Sequence, residues 1–316
     1  MFAYIVRRLL VSIPTILAVT VVVFLLANLM PGNAVLAMLS TDSPAPEELI
    51  KLRQGQLGLD QPVPVQYARW LSNVAQGNLG RSFQYGDSVT AMIAQRIPAT
   101  LELMMVTLII SIFLGVALGT ISALRQYSSL DYGLTFIGFA GISIPDFFMG
   151  MILIFVFALR LGWFPTSGMV TAGSEFSLPD NLRHIILPAL ALVRTAVFMR
   201  YTRASVLEVA KNDYVRTAQA KGLQRQLIIG RHILRNGLIP VITVVGLNMA
   251  ALFAGSVIIE TIFQWPGIGM MFINAVAVRD SPVIMGYVLL TTIFVLLVNL
   301  VTDITYSWVD PRIRYE

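Results

Sequence analysis

The chain has no cysteine and only two histidines, His184 and His232. The first absence excludes disulfides, thiolate nucleophiles and cysteine metal sites. The second, with the two histidines far apart, leaves no basis for a histidine metal centre. No metal and no cofactor is therefore expected. Charge is scarce as well: Asp, Glu, Lys and Arg make up 12% of the 316 residues, against 56% apolar. Soluble domains carry about 25% charged residues, so a soluble chain this poor in charge would lack the polar surface to cover itself. Lipid is the solvent that fits, and the mean hydropathy of +0.76 agrees. There is no Gly-x-x-x-x-Gly-Lys-(Ser/Thr) loop, so the chain is not expected to bind or hydrolyse ATP. Several spans of about 20 residues each leave no room for a large soluble catalytic domain, and no enzyme activity is expected.

What is present is a series of long apolar segments. Six stand out, near Leu9–Leu29, Ala99–Leu124, Tyr132–Leu159, Ile185–Val206, Leu238–Phe263 and Val283–Tyr306. Each is long enough to cross as a helix, the form that satisfies every backbone N–H and C=O in hydrocarbon. The expected fold class is an all-α integral membrane protein of about six transmembrane helices. Pro14, Pro145, Pro188 and Pro240 fall in or at the edge of spans and are expected to kink them. The first apolar run follows Arg7 and Arg8 like a signal sequence, but it exceeds the roughly 7–15 residues of a signal core and no clear small-x-small site follows. It is expected to be a retained span.

Basic residues set the orientation. One side receives Arg7, Arg8, Arg125, Arg200, Arg203, Lys211, Arg216, Lys221, Arg225, Arg231, Arg235, Arg312 and Arg314. The other has Lys51, Arg53, Arg69, Arg81 and Arg96, diluted among Asp42, Glu47, Glu48, Asp60 and Asp87. The first side is expected to be cytoplasmic, with both termini inside. The net charge of +5 is thereby explained by topology, and no nucleic-acid partner is expected. The external segment from Pro31 to Pro98 is too long for a mere connector. Its Glu47–Leu57 and Val65–Ala75 have apolar residues at helical spacing, and Trp70, Leu71, Phe83 and Tyr85 call for burial. A small helical cap is expected there.

The loop between the fourth and fifth spans, about 207–237, carries the sharpest local signal. Asp213 is a candidate N-cap, Tyr214 to Lys221 are compatible with two turns, Lys221 suits the negative end of the helix dipole, and Gly222 can take the left-handed C′ position. A basic amphipathic stretch from Leu223 to Leu234 follows. Such a peg fits either a partner's groove or an anionic lipid surface.

Here the chain resembles the dipeptide/oligopeptide/nickel family of ABC-transporter permeases, specifically the first of their two permease subunits. Asp213, Tyr214, Val215, Arg216, Thr217, Ala218, Gln219, Ala220, Lys221, Gly222 and Leu223 look like that family's coupling motif, with Gln219 where a base is usual. His232-Ile-Leu-Arg-Asn-Gly-Leu-Ile-Pro240 matches its downstream half, with Gly237 in place of alanine. The likeness covers nearly the whole chain. It takes in Arg8-Leu-Leu-Val-Ser-Ile-Pro14, Met30-Pro-Gly32 (followed by Asn33 in place of aspartate), Gly58-Leu-Asp-Gln-Pro62 and Gly77-Asn-Leu-Gly-Arg-Ser82. It continues through Gly141-Ile-Ser-Ile-Pro145, Glu260-Thr-Ile-Phe-Gln-Trp-Pro-Gly-Ile-Gly269 and Asp310-Pro-Arg-Ile-Arg314. The resemblance implies the type I ABC importer permease fold in the cytoplasmic (inner) membrane of a bacterium. It also implies a second homologous permease, two ABC ATPase subunits, an extracytoplasmic substrate-binding protein and a peptide substrate, with glutathione or nickel complexes as alternatives. The expected organisation is an N-terminal span and cap over 1–98, a core permease domain over 99–306 and a tail over 307–316.

Asp146 and Arg194 fall near the middles of the third and fourth spans, where each costs about 2.5–3.5 kcal/mol on insertion scales. Such residues face an interior or a pathway. Either they line the substrate pathway and meet the charged ends of a peptide, or they pair with one another. Asn248 is a third pathway candidate, with a hydrogen bond across helices as its structural alternative. Glu260 and Asp303 lie near span ends, where water is expected within reach. The methionines read as packing or lipid-facing residues. A secondary transporter, the alternative of another class, would need its own ion-coupling carboxylates and would leave the coupling motif unexplained.

Overall fold

The computed structural model describes residues 2–29, 55 and 60–309, and among these the secondary structure is helical apart from one isolated bridge between Arg81 and Ser88. The expected helix over Glu47–Leu57, the Met30-Pro-Gly32 motif with Asn33, and the Asp310-Pro-Arg-Ile-Arg314 motif lie wholly or mostly outside the described residues. In chain order the helices are α1 Phe2–Leu29, α2 Val63–Ala75, α3 Val89–Leu124, α4 Ser129–Ser143 and α5 Asp146–Leu153, which continues as a π-helix over Ile154–Arg160. Next come α6 Leu178–Leu192, α7 Thr195–Val209, α8 Asp213–Ala220 and α9, a run made of Arg225–Leu227, the π-helical Ile228–Leu234 and Arg235–Gly237. The last are α10 Ile239–Ile262, α11 Ile268–Ala277 and α12 Ser281–Val309.

Among the described residues, four stretches are long and apolar enough to cross a membrane unbroken: Val6–Leu29, Val89–Leu124, Ile239–Ile262 and Ser281–Thr305. The third and fourth spans are not the single rods their composition suggests. The α4–α5 pair bends by 102° and the α6–α7 pair by 62°, so six crossings are reached when each bent pair counts as one. The first break follows from Pro145. The ring disfavours α-helical backbone at the residue before it, and Ile144 is extended (φ −89°, ψ 123°). The second break corrects the proline rule. Pro188 sits buried inside α6, and the chain turns instead at Val193 and Arg194. The backbone N–H of Arg194, freed by that turn, donates to Ser111 Oγ of α3 at 3.0 Å. A hydroxyl from a neighbouring helix is how a broken span stays satisfied in lipid.

Among the described residues, 101–265 and 297–309 form one compact unit, and those within 2–100 together with 266–296 form a second. In the first, α3 and α7 are in backbone contact. Gly115 and Gly119 make a small-xxx-small face, the spacing that lets two helix backbones approach. A Cβ on Gly119 would lie 2.6 Å from Met199 O, and one on Gly115 would lie 2.3 Å from Phe198 Cβ. Gly246 of α10 does the same for Thr302 of α12. Glu260 does not reach water as expected: it is fully buried in this unit, as are Phe263 and Trp265.

In the second unit, Val23 and Phe24 of α1 pack with Met285 and with Tyr67 and Trp70 of α2. The Phe24 and Tyr67 rings meet edge-on, 5.4 Å between centroids. The turn after α2 is anchored by the buried Asp280, whose carboxylate accepts from Ser82 Oγ, from Phe83 N at 3.0 Å and from Gln84 N at 3.3 Å. Of the four aromatic and aliphatic residues expected to be buried here, Trp70, Leu71 and Phe83 are half-buried, whereas Tyr85 is exposed.

Candidate functional site

The loop that follows α7 folds onto its own unit. Three backbone bonds (Ala210 N to Val206 O, Lys211 N to Glu208 O and Asn212 N to Val209 O, 2.9–3.2 Å) carry the chain from α7 into α8 with little slack. Asn212 takes the N-cap position and Asp213 is the first helical residue, a shift of one from expectation, and the Asn212 side chain makes no capping bond. Lys221 is the C-cap rather than a last-turn residue. The stop is a Schellman closure: Gly222 N–H donates to Gln219 O at 3.0 Å, Leu223 N–H donates to Ala218 O at 3.3 Å, and Gly222 sits at φ +72°.

The two faces of α8 differ. Val215 and Ala218, one turn apart, are buried in a cluster with Ala123 of α3, Val206 and Val209 of α7, and Ile228 and Ile233 of α9. The remaining residues of α8, Asp213, Tyr214, Arg216, Thr217, Gln219 and Ala220, are exposed, as are Lys221, Gly222 and Leu223. Tyr214 is fixed at its rim, its hydroxyl accepting from Asn236 Nδ2 at 3.2 Å. The Asp213–Arg216 ion pair is 3.8 Å long and open to solvent on both sides, which makes it worth little to folding. α8 is thus a rigid two-turn peg, apolar on the side that holds it and polar on the side it offers.

Asp146 and Arg194 come together at the two span breaks. Asp146 is the first residue of α5 and Arg194 the N-cap of α7; Arg194 Nη2 donates to Asp146 Oδ2 at 3.2 Å. Both remain partly exposed, at 39% and 30% of their side chains, and Arg194 Nε is buried with no partner among the described residues. They lie in the wall of a cavity of about 460 Å³ whose other walls include Ile137, Met149, Phe157 and Thr195. Gly255 of α10 lies beside the pair, and a Cβ there would be in ordinary van der Waals contact with Asp146 Oδ2, at 3.4 Å. Asn248 is not among the cavity's lining residues. It is buried and donates to Val244 O in its own helix at 2.8 Å.

A second pair escaped sequence reasoning. Asp131, in the first turn of α4, is buried and accepts both arms of the Arg203 fork from α7, at 2.9 and 2.8 Å. Its carboxylate also accepts from Ser122 Oγ of α3 and from Tyr127 N at 3.0 Å. That last bond holds Tyr127 at φ +62°, a left-handed conformation that is uncommon and strained for a bulky side chain. Asp131 falls just before the third apolar segment and Arg203 near the end of the fourth, where both pass for ordinary flanking residues. The signal available was that Arg203 stands three residues inside the fourth apolar segment, Ile185–Val206, rather than beyond its end.

Two family models match the chain. Residues 115–315 match "Binding-protein-dependent transport system inner membrane component", and residues 1–104 match its N-terminal companion. The oligopeptide transport system permease protein AppB of Bacillus subtilis (strain 168) is 42% identical, with 100% of both chains covered. The glutathione transport system permease protein GsiC of Escherichia coli O6:H1 (strain CFT073) is 40% identical over 100% of both. Among solved structures, an inward-facing MetNI methionine ABC transporter aligns with TM-score 0.55 at 14% identity. The alignment covers 69% of this chain and 96% of that one. At that identity the likeness speaks for the fold.

Proposed function

This chain belongs to the family of binding-protein-dependent transport system inner membrane components, and from that premise we propose that it is one of two membrane subunits of an ATP-driven importer of peptides. The observation that carries this reading is α8, held by one apolar face and presenting a fixed polar face. In the proposal α8 lies on the cytoplasmic side and seats in a cleft of an ABC ATPase subunit. A second, homologous permease completes the pathway, and an extracytoplasmic binding protein delivers the peptide. The ATPases change separation with nucleotide state, α8 follows, and the bundle alternates between outward and inward exposure, a shift between two populations driven by differential contact with the motor.

Asp146 and Arg194 are proposed to face the substrate pathway. Their single contact, partial exposure and position in a cavity wall suit a pair that exchanges partners with the termini of a zwitterionic peptide. Asn248 supports packing better than transport, because its amide is spent within its own helix. Glutathione is the second reading, favoured by the 40% identity to a relative of that name.

The test is reconstitution. The chain purified alone should hydrolyse no ATP, and labelled-peptide uptake into vesicles should require the second permease, the ATPases and the loaded binding protein. Uptake that persists without the ATPases and follows an ion gradient would replace the importer with a secondary transporter. Competition by glutathione but not by peptides would shift the substrate.

A further inference from the structure

α4 and α7 run side by side in opposite directions, and the two ion pairs sit at their two ends. Asp131 in the first turn of α4 binds Arg203 towards the end of α7, and Asp146 just past the end of α4 binds Arg194 at the start of α7. Between them Gly138 of α4 approaches Ala196, with a Cβ there 3.4 Å from Ala196 Cβ. Arg203 lies six residues before the end of α7, about 9 Å along the helix at 1.5 Å per residue. The α7–α8 link is the tightly bonded turn described above. A displacement of α8 therefore reaches Arg203 before it reaches the cavity.

We propose that the Asp131–Arg203 pair, set between α8 and the cavity, is the positioning contact that makes α4 and α7 move as one lever. The lever transmits the motion of α8 to the span breaks at Asp146 and Arg194. This rests on the docking role of α8. The physical reason lies in how the pair is built. A bidentate fork fixes relative orientation as well as distance, whereas a single point contact allows rotation. Ser122 from α3 and the Tyr127 backbone hold the carboxylate from two further directions, and Gly115 and Gly119 seat α7 on α3 without intervening side chains. α7 has little freedom to slide against α4 while this joint is intact. Without it, α7 can yield to α8 and leave α4 behind.

The experiment uses the complete importer, with Asp131→Asn, Arg203→Gln, Arg203→Lys and the double variant Asp131→Asn with Arg203→Gln. It measures the amount of assembled complex and the peptide taken up per ATP hydrolysed. Asp131→Asn and Arg203→Gln should assemble and hydrolyse ATP yet lower uptake per ATP about tenfold, the scale set by loss of a hydrogen bond to a charged group. Arg203→Lys keeps the charge without the fork and should fall between wild type and Gln. It also serves if the neutral variants fail to accumulate. The double variant should lose no more than either single one, because the two side chains act as a unit. Lower yield with unchanged uptake per ATP in every variant would make the pair a folding staple and overturn the lever. Additive losses would overturn it too. Crosslinking of α8 to an ATPase subunit, run in parallel, separates the two failures. If α8 never meets an ATPase, the docking role has failed; if it does and uptake per ATP is unchanged, only the lever has.

Discussion

The two ion pairs along α4 and α7 use the same chemistry and are built differently. At the α8 end, Asp131 is 4% exposed in its side chain, meets both arms of Arg203 and accepts from two further donors. At the cavity end, Asp146 is 39% exposed and meets Arg194 through one 3.2 Å contact, while Arg194 Nε has no partner among the described residues. A buried charge whose hydrogen bonds are all taken up is costly to separate. A half-solvated pair with spare donors is cheap to open. The contrast is between a joint that is hard to separate, at the α8 end, and one that is easy to open, in the cavity wall.

That comparison can be broken by truncation. Asp131→Ala should destabilise the purified chain by about 3 kcal/mol, the low end for removing one partner of a buried pair, because Arg203 keeps some access to water. Asp146→Ala should cost less than about 1 kcal/mol while lowering uptake per assembled complex. Equal losses in thermal unfolding would erase the distinction.

The glycines beside the two pairs sharpen it. Gly119→Ala places its Cβ 2.6 Å from Met199 O, so backbone must shift, at about 1–3 kcal/mol for overpacking. Gly222→Ala, just past α8, forces a left-handed Cβ and should cost about 1 kcal/mol. Gly255→Ala, beside Asp146, meets its nearest neighbours at 3.4 Å and should stay within about 0.5 kcal/mol of wild type. The smallest effect belongs to the exposed face of α8. There Asp213→Asn should leave the unfolding temperature unchanged. A large effect of Asp213→Asn on the isolated chain would mean that α8 is held by its polar face after all.

Periodicity and hydropathy made much of this fold legible. The unbroken spans, the Pro145 break and the helix over 63–75 are all written in local pattern, because lipid and backbone satisfaction leave few options for such segments. The Val193–Arg194 break was not, since what permits it is Ser111 on another helix. Glu260 was misjudged for a related reason: position near a span end implies access to water only if no neighbour closes over it. The grouping of 266–296 with the N-terminal residues is likewise a product of packing. At the candidate site, capping rules located α8 within one residue, and hydropathy flagged Asp146 and Arg194 because charge is conspicuous inside an apolar run. Asp131 and Arg203 were hidden because charge at a span's edge is commonplace. Their pairing depends on the closeness of α3, α4 and α7 rather than on any spacing along the chain.

The docking role of α8 is tested most directly with the one natural advantage this sequence offers, its lack of cysteine. Gln219→Cys puts a single thiol on the exposed face of α8, to be treated in the assembled importer with a short thiol-to-amine crosslinker. The expected result is an adduct with an ATPase subunit whose yield differs between the nucleotide-free state and a trapped ATP state. Absence of any such adduct, or labelling of that thiol from outside intact cells by a reagent that cannot cross the membrane, would contradict it.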